Sequence, residues 1–133
     1  MKKIVCFIAC FLLFTVTAIA QESKEIIIEN SDYTDRNEIE IPGAIVFTGN
    51  VRVIHNGVKI NCNKAYHFEK EKYIKAFGNV QINQGDTIFL NSRYAEYDGK
   101  IEFAFATGDV SMRSPESTLV TDTIYFDKKN QQA

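Results

Sequence analysis

The residue types that carry most enzyme chemistry are thin in this chain. His55 and His67 are its two histidines. The first stands beside an Asn-Gly pair and the second between Tyr66 and Phe68. A G-x-S-x-G turn, which would lift a serine nucleophile out of a strand-to-helix junction, does not occur. Cys and His do not cluster at zinc spacing. Carboxylates recur at turn positions, as Asp86, Asp98, Asp109 and Asp127. There a short acid closes a turn by bonding nearby backbone N–H groups. The calcium-binding nonapeptide of β-rolls is missing, and so are paired carboxylates repeated on one face, as glycoside hydrolysis needs. The reading is a chain that is not an enzyme and uses neither metal nor cofactor. Arg52, Lys59, Lys64, Lys72, Lys75 and Arg93 are scattered. They read as a solvated surface, or alternatively as the rim of a groove that meets anionic head groups.

Export is the next constraint. Lys2 and Lys3 precede an apolar run from Ile4 to Ile19, and Ala18-Ile19-Ala20 forms a small-x-small site before Gln21. This is the pattern of a signal peptide over residues 1–20, cleaved after Ala20. The run is shorter than the ~20 residues that span a bilayer. A lipoprotein site at Cys10 is disfavoured, because the usual Leu three positions before it is absent. The mature segment, residues 21–133, suits one domain with a modest core. Its formal charge of −4 disfavours nucleic acid as a partner, since neutralising phosphates needs a basic face. Cys62 is left as the lone cysteine of that segment, so packing and backbone pairing must stabilise it. Its place in the alternating run Val58 to Cys62 reads as a small buried apolar residue.

The elements come from a repeat. Gly49-Asn50-Val51, Gly78-Asn79-Val80 and Gly108-Asp109-Val110 recur at intervals of 29 and 30, and Phe68, Tyr97 and Phe126 at intervals of 29. Each unit reads as short alternating strands. Val51 and Val53 precede an Asn56-Gly57 turn, and Val58, Ile60 and Cys62 follow it. Asn-Gly between such runs is a strong hairpin signature, because both residues tolerate positive φ. The second unit gives Val80 and Ile82, a turn over Gln84 to Asp86, then Ile88 and Leu90. The third gives Val110 and Met112, a turn over Ser114 to Ser117, then Leu119. A second strand pair follows in each unit, as in Ala95 and Tyr97 before Asp98-Gly99, with Ile101 and Phe103 after it. Ile26 to Ile28 opens the first copy as a paired strand, and the segment from Thr34 to Glu38 is a loop. No convincing helix is present in the mature segment. Gly49, Gly78 and Gly108 are structural corners.

Period-two alternation buries one face of a strand and wets the other. Stacked units of this kind give sheet on two sides of a continuous core or groove. The expected fold is all-β, a β-jelly-roll or flattened solenoid of roughly 29-residue repeats; a closed barrel is less favoured. By strand parity, Val51, Val53, Val58, Ile60, Val80, Ile82, Ile88, Leu90, Val110 and Met112 face inward. They either form an ordinary core or line an apolar slot for a lipid chain.

The Gly-Asn-Val triplets at Gly49 and Gly78, the Tyr97-Asp98 and Phe126-Asp127 strand ends and the signal peptide together resemble the OstA-like (LptA-like) envelope proteins of Gram-negative bacteria. The variant with Ile82 to Thr87 and Thr121 to Asp127 is most similar to those of the Bacteroidetes type. The resemblance covers about Gly43 to Ala133. It implies a periplasmic jelly-roll that carries lipopolysaccharide or a related glycolipid between two sheets. It also implies edge-strand pairing with other jelly-roll proteins of the transport bridge, or head-to-tail with copies of itself. The alternative is a structural β-module that pairs by its edges and carries no lipid. Phe68-Glu69 departs from the Tyr-Asp pattern, and Gly108-Asp109 departs mildly from Gly-Asn. The chain stops just after a strand where such proteins continue, so the resemblance implies a C-terminally shortened form or the first part of a longer bridge protein.

Overall fold

The computed structural model describes residues 25–127. The expected signal peptide over residues 1–20 and its cleavage after Ala20 lie outside the described residues. The described residues form eight strands: β1 (Ile27–Asn30), β2 (Tyr33–Asp35), β3 (Ala44–His55), β4 (Val58–Phe68), β5 (Tyr73–Gln84), β6 (Ile88–Asp98), β7 (Phe103–Arg113) and β8 (Thr118–Asp127). All pair antiparallel in one sheet, in the order β1-β3-β4-β5-β6-β7-β8, with β2 beside β1 on the free side of β3. The expected strand at Ile26 to Ile28 therefore holds with a small shift. Ile26 itself precedes β1, buried, with its side chain against Gly99.

The short strands expected within each unit are halves of longer ones. From β3 to β7 every strand runs through a corner, and the pairing register slips there. Thr48 pairs with Lys64 and Val51 with Cys62, so Gly49 and Asn50 together face Asn63. The same slip recurs at Gly78-Asn79 and at Gly108-Asp109. A two-against-one bulge of this kind bends the strand and sharpens its twist. At the middle corner Gly78 has φ +77° and Asn79 φ +45°. A Cβ on Gly78 would stand 2.8 Å from the Asn63 amide nitrogen, so both conformation and space require glycine.

The bends divide the sheet into two leaves. The alanine leaf holds the first halves of β3, β5 and β7 and the second halves of β4, β6 and β8. Its inner face carries a paired row Phe47-Ala65-Ala76-Ala95-Ala106-Ile124, and behind it the row Ile45-His67-Ile74-Tyr97-Ala104-Phe126. The valine leaf carries Val51, Cys62, Val80, Ser92 and Val110 next to the bend. Farther out, the row Ile28-Val53-Ile60-Ile82-Leu90-Met112-Leu119 runs across seven strands. The two inner faces form one core. Beside the bend the alanine leaf carries alanine from β4 to β7, flanked by Phe47 and Ile124 at the two ends of the row.

The turns follow from local chemistry. Asn56 and Gly57, at φ +46° and +80°, form the two-residue hairpin between β3 and β4. Ser114 N–H donates to Ser117 O at 2.8 Å between β7 and β8. One expectation fails at the turn between β6 and β7. This turn spans four residues, with Asp98 paired to Phe103, so Ile101 is exposed in the turn and Phe103 faces outward. Ala104 and Ala106 take the inward places instead. The carboxylate of Asp98 accepts a 2.9 Å bond from Lys100 N–H and so closes the turn.

Candidate functional site: the interior between the leaves

All ten residues expected to line a slot lie on the inner face of the valine leaf. Val51, Val53, Val58, Ile60, Val80, Ile82, Leu90 and Val110 are buried, and Ile88 and Met112 are partly buried. They supply one wall. The opposite wall was not read as such from sequence: it consists of Phe47, Ala65, Ala76, Ala95, Ala106, Ile124 and the row behind them. Alternation continues through the odd strands but changes phase in the even ones. In β4 it passes from Cys62 to Ala65, and in β6 from Ser92 to Ala95. This phase change hid the second wall.

The same phase change splits the aromatic repeat. Of the three aromatics spaced by 29 residues, Tyr97 and Phe126 point inward and Phe68 does not. The residue of β4 equivalent to Tyr97 is His67, paired in the same row through Ile74. From Cys62 to Ser92, and from Ala65 to Ala95, the inner positions advance by 30 residues. Phe68 is thereby displaced to the outer face, and the imidazole fills the inner position. Burial lowers the His67 pKa, partly offset by the carboxylates of Glu69 and Glu25.

Polar groups join the leaves at one end of the mouth. His55 Nδ1, at the tip of the valine leaf, and the Tyr97 hydroxyl of the alanine leaf share a buried hydrogen bond of 2.7 Å. Their rings meet edge-on with centroids 5.6 Å apart. Burial raises the Tyr97 pKa, with help from Glu102 and Asp98, so the phenol stays neutral. Beside it, Asn56 Nδ2 donates to Glu102 Oε1 at 2.8 Å, tying the β3–β4 turn to the β6–β7 turn. Next to this staple lies an apolar cavity of about 20 Å³, walled by Val58, Ile82 and Leu90 on one leaf and Tyr97, Ala104 and Phe126 on the other. Gln84 also reaches it, and its buried side-chain oxygen lacks a hydrogen-bond partner. The cavity has room for about one water molecule. A long apolar ligand can therefore enter only if the leaves part. Cys62, on the inner wall beside the bend, is buried, and its thiol is pushed up to about 11 by that burial. Among the described residues no group of three or more His, Cys, Asp or Glu is placed to hold a metal.

The outer face of the alanine leaf is aromatic. Tyr66, Phe77 and Tyr94 stack in series at 4.7 and 5.1 Å, and Phe105 packs on Tyr125 at 5.0 Å. Tyr73 donates to Glu96 Oε1 at 2.6 Å. Burial and the Glu96 carboxylate push Tyr94 up to about 12. Lys64 and Lys75 lie over the rings of Tyr66 and Phe68. These two amines thus rest on the outer aromatic surface, and Arg93 pairs with Asp109 at 3.1 Å beside the third corner.

One open antiparallel sheet, folded over a bend so that its two halves enclose an apolar interior, defines a β-jelly-roll. Residues 23–133 match the family model described as "OstA-like protein", and the chain belongs to that family. The fold is similar to that of LptH from Pseudomonas aeruginosa, described as the LptA-homologous periplasmic component of the lipopolysaccharide transport device. The two are 14% identical with a TM-score of 0.71, covering 82% of this chain and 80% of that one. Among curated proteins none matches the chain.

Proposed function

We propose that this protein is a non-catalytic periplasmic carrier or bridge component for lipopolysaccharide or a related glycolipid, with acyl chains held between the two leaves. The observation that carries this reading is the interior itself. It is apolar on both walls, it runs across the strands from β3 to β8, and its two walls belong to one sheet joined through the bend. Membership of the OstA-like family and the fold shared with a periplasmic lipopolysaccharide-transport component support it. Each acyl methylene moved out of water contributes about 0.8 kcal/mol, which offsets the separation of packed leaves.

The test is lipid capture. Protein purified from its own envelope should yield a glycolipid on organic extraction and mass spectrometry. Val80→Ala and Ile60→Ala variants that keep their circular dichroism should retain less of it. Extracts free of glycolipid, or unchanged capture in both folded variants, would sink the cargo reading.

A second reading rests on β8. Leu119, Val120 and Tyr125 are exposed on this ten-residue strand, and no described strand pairs its outer side. Strand addition at this edge suits a bridge partner, a second copy, or a purely structural module.

A further inference from the structure

The three corners repeat one arrangement of side chains. At each, a residue of the preceding segment or strand lies over the corner glycine: Asp32 over Gly49, Asn63 over Gly78 and Arg93 over Gly108. At the first corner this residue is paired with the one after the glycine, Asn50 Nδ2 donating to Asp32 Oδ2 at 3.0 Å. At the third, Arg93 and Asp109 form an ion pair at 3.1 Å. The middle corner breaks the pattern. Asn63 and Asn79 are both amides, and neither side chain is hydrogen-bonded to the other or to any other described residue.

A trough of about 270 Å³ opens on the outer side of the sheet at this corner. Its polar lining is Asn50, Arg52, Asn61, Asn63, Asn79 and Gln81. Arg52, Asn61 and Gln81 are neighbours in register across β3, β4 and β5. Four primary amides, Asn61, Asn63, Asn79 and Gln81, therefore converge with unspent donors and acceptors. The one cation, Arg52, faces Glu29 at 3.7 Å.

We infer that this trough is a binding site for a polyhydroxylated ligand, a saccharide, on the opposite side of the sheet from the acyl interior. An amide offers two donors and one acceptor within a few ångströms, and a sugar hydroxyl both donates and accepts, so a cluster of amides can pair with adjacent hydroxyls without desolvating a charge. An anion would meet five neutral amides and one arginine already opposite a glutamate. Val51 and Cys62, placed on the inner wall, also border the trough, but its amides lie on the other face of the sheet, and its failure leaves the acyl proposal untouched.

Titration of the ¹⁵N-labelled protein tests it, with maltotetraose, tetra-N-acetylchitotetraose and the acyl-free core oligosaccharide of lipopolysaccharide as probes and inorganic phosphate as the anion control. At least one saccharide should shift the side-chain amides of Asn61, Asn63, Asn79 and Gln81 saturably, and phosphate should not. Response to the core oligosaccharide alone assigns the trough to the head of a lipid cargo; response to either other saccharide assigns it to a free glycan. The double variant Asn63→Ala/Gln81→Ala should weaken binding at least tenfold, and Ser111→Ala, elsewhere on the same outer face, should not change it. Asn63→Asp restores the carboxylate–amide pair of the first corner and should also weaken binding while the protein stays folded. No saturable shift with any of the three saccharides, equal binding of phosphate, or full binding by Asn63→Asp overturns the inference.

Discussion

Two buried side chains report on the interior without any ligand. Cys62 lies on the inner wall, and burial pushes its thiol up to about 11 from an ordinary 9.0. At pH 8 the thiolate fraction is then about a hundredfold below that of a free cysteine, quite apart from access. A thiol reagent should therefore modify the folded protein far more slowly than the unfolded one. The residual rate measures how often the leaves part; labelling at the free-thiol rate would contradict a closed interior. His67 gives a pH dependence. Its pKa is lowered in the folded protein by burial, so below the unfolded value of about 6.5 the unfolded chain binds the extra proton more readily. The stabilisation is fully present above that value and is lost as pH falls toward the folded pKa. Denaturant midpoints should fall between about pH 7.5 and pH 5.5, across the unfolded value. The variant His67→Phe should flatten that slope, and an unchanged slope would remove His67 as its source.

At the scale of the strand, the corner is the decisive element. Gly78→Ala places a Cβ in the left-handed region against Asn63. It should destabilise by about 1–2 kcal/mol from conformation alone, and more from the contact. Gly57→Ala, with open space around the added Cβ but the same positive φ, isolates the conformational part. If the two variants lose equal stability by chemical denaturation, the Asn63 contact contributes nothing. The corners were legible in sequence because glycine and asparagine are the residues that adopt positive φ cheaply. The Asn56-Gly57 hairpin and the valine wall were legible too, because alternation runs unbroken from Val51 to His55 and from Val58 to Cys62. The alanine wall was not. Alanine carries little hydropathy contrast, and the change of phase opposite each bulge cannot be seen until the pairing register is known. For the same reason the 29-residue aromatic spacing does not reveal that Phe68 faces outward. The unpaired amides of the middle corner showed only when the three corners were superposed in space.

For the whole molecule, the two ends of the sheet differ. One is covered by the short strands β1 and β2, while the other is β8, with Val120 77% exposed and Tyr125 58% exposed. Unlike edges favour a head-to-tail contact, which extends rather than closes. Sedimentation should show species that grow with concentration, and Val120→Lys should reduce that growth, since a charge on an edge strand opposes pairing. A monomer at all concentrations, in the parent and variant alike, would remove the β8 edge as an association surface.

The single-sheet path also makes the protein mechanically anisotropic. Backbone hydrogen bonds link each strand to the next along the sheet, whereas opposite leaves meet through side chains, fastened at one end of the mouth by His55–Tyr97 and Asn56–Glu102. A load applied between β1 and β8 must unzip or shear the ladder. A load that spreads the leaves works only against packing and this small clasp, with the bulged corners as the hinge line. Under the proposed carrier function, cargo enters or leaves sideways, by parting of the leaves, while the backbone ladder stays whole.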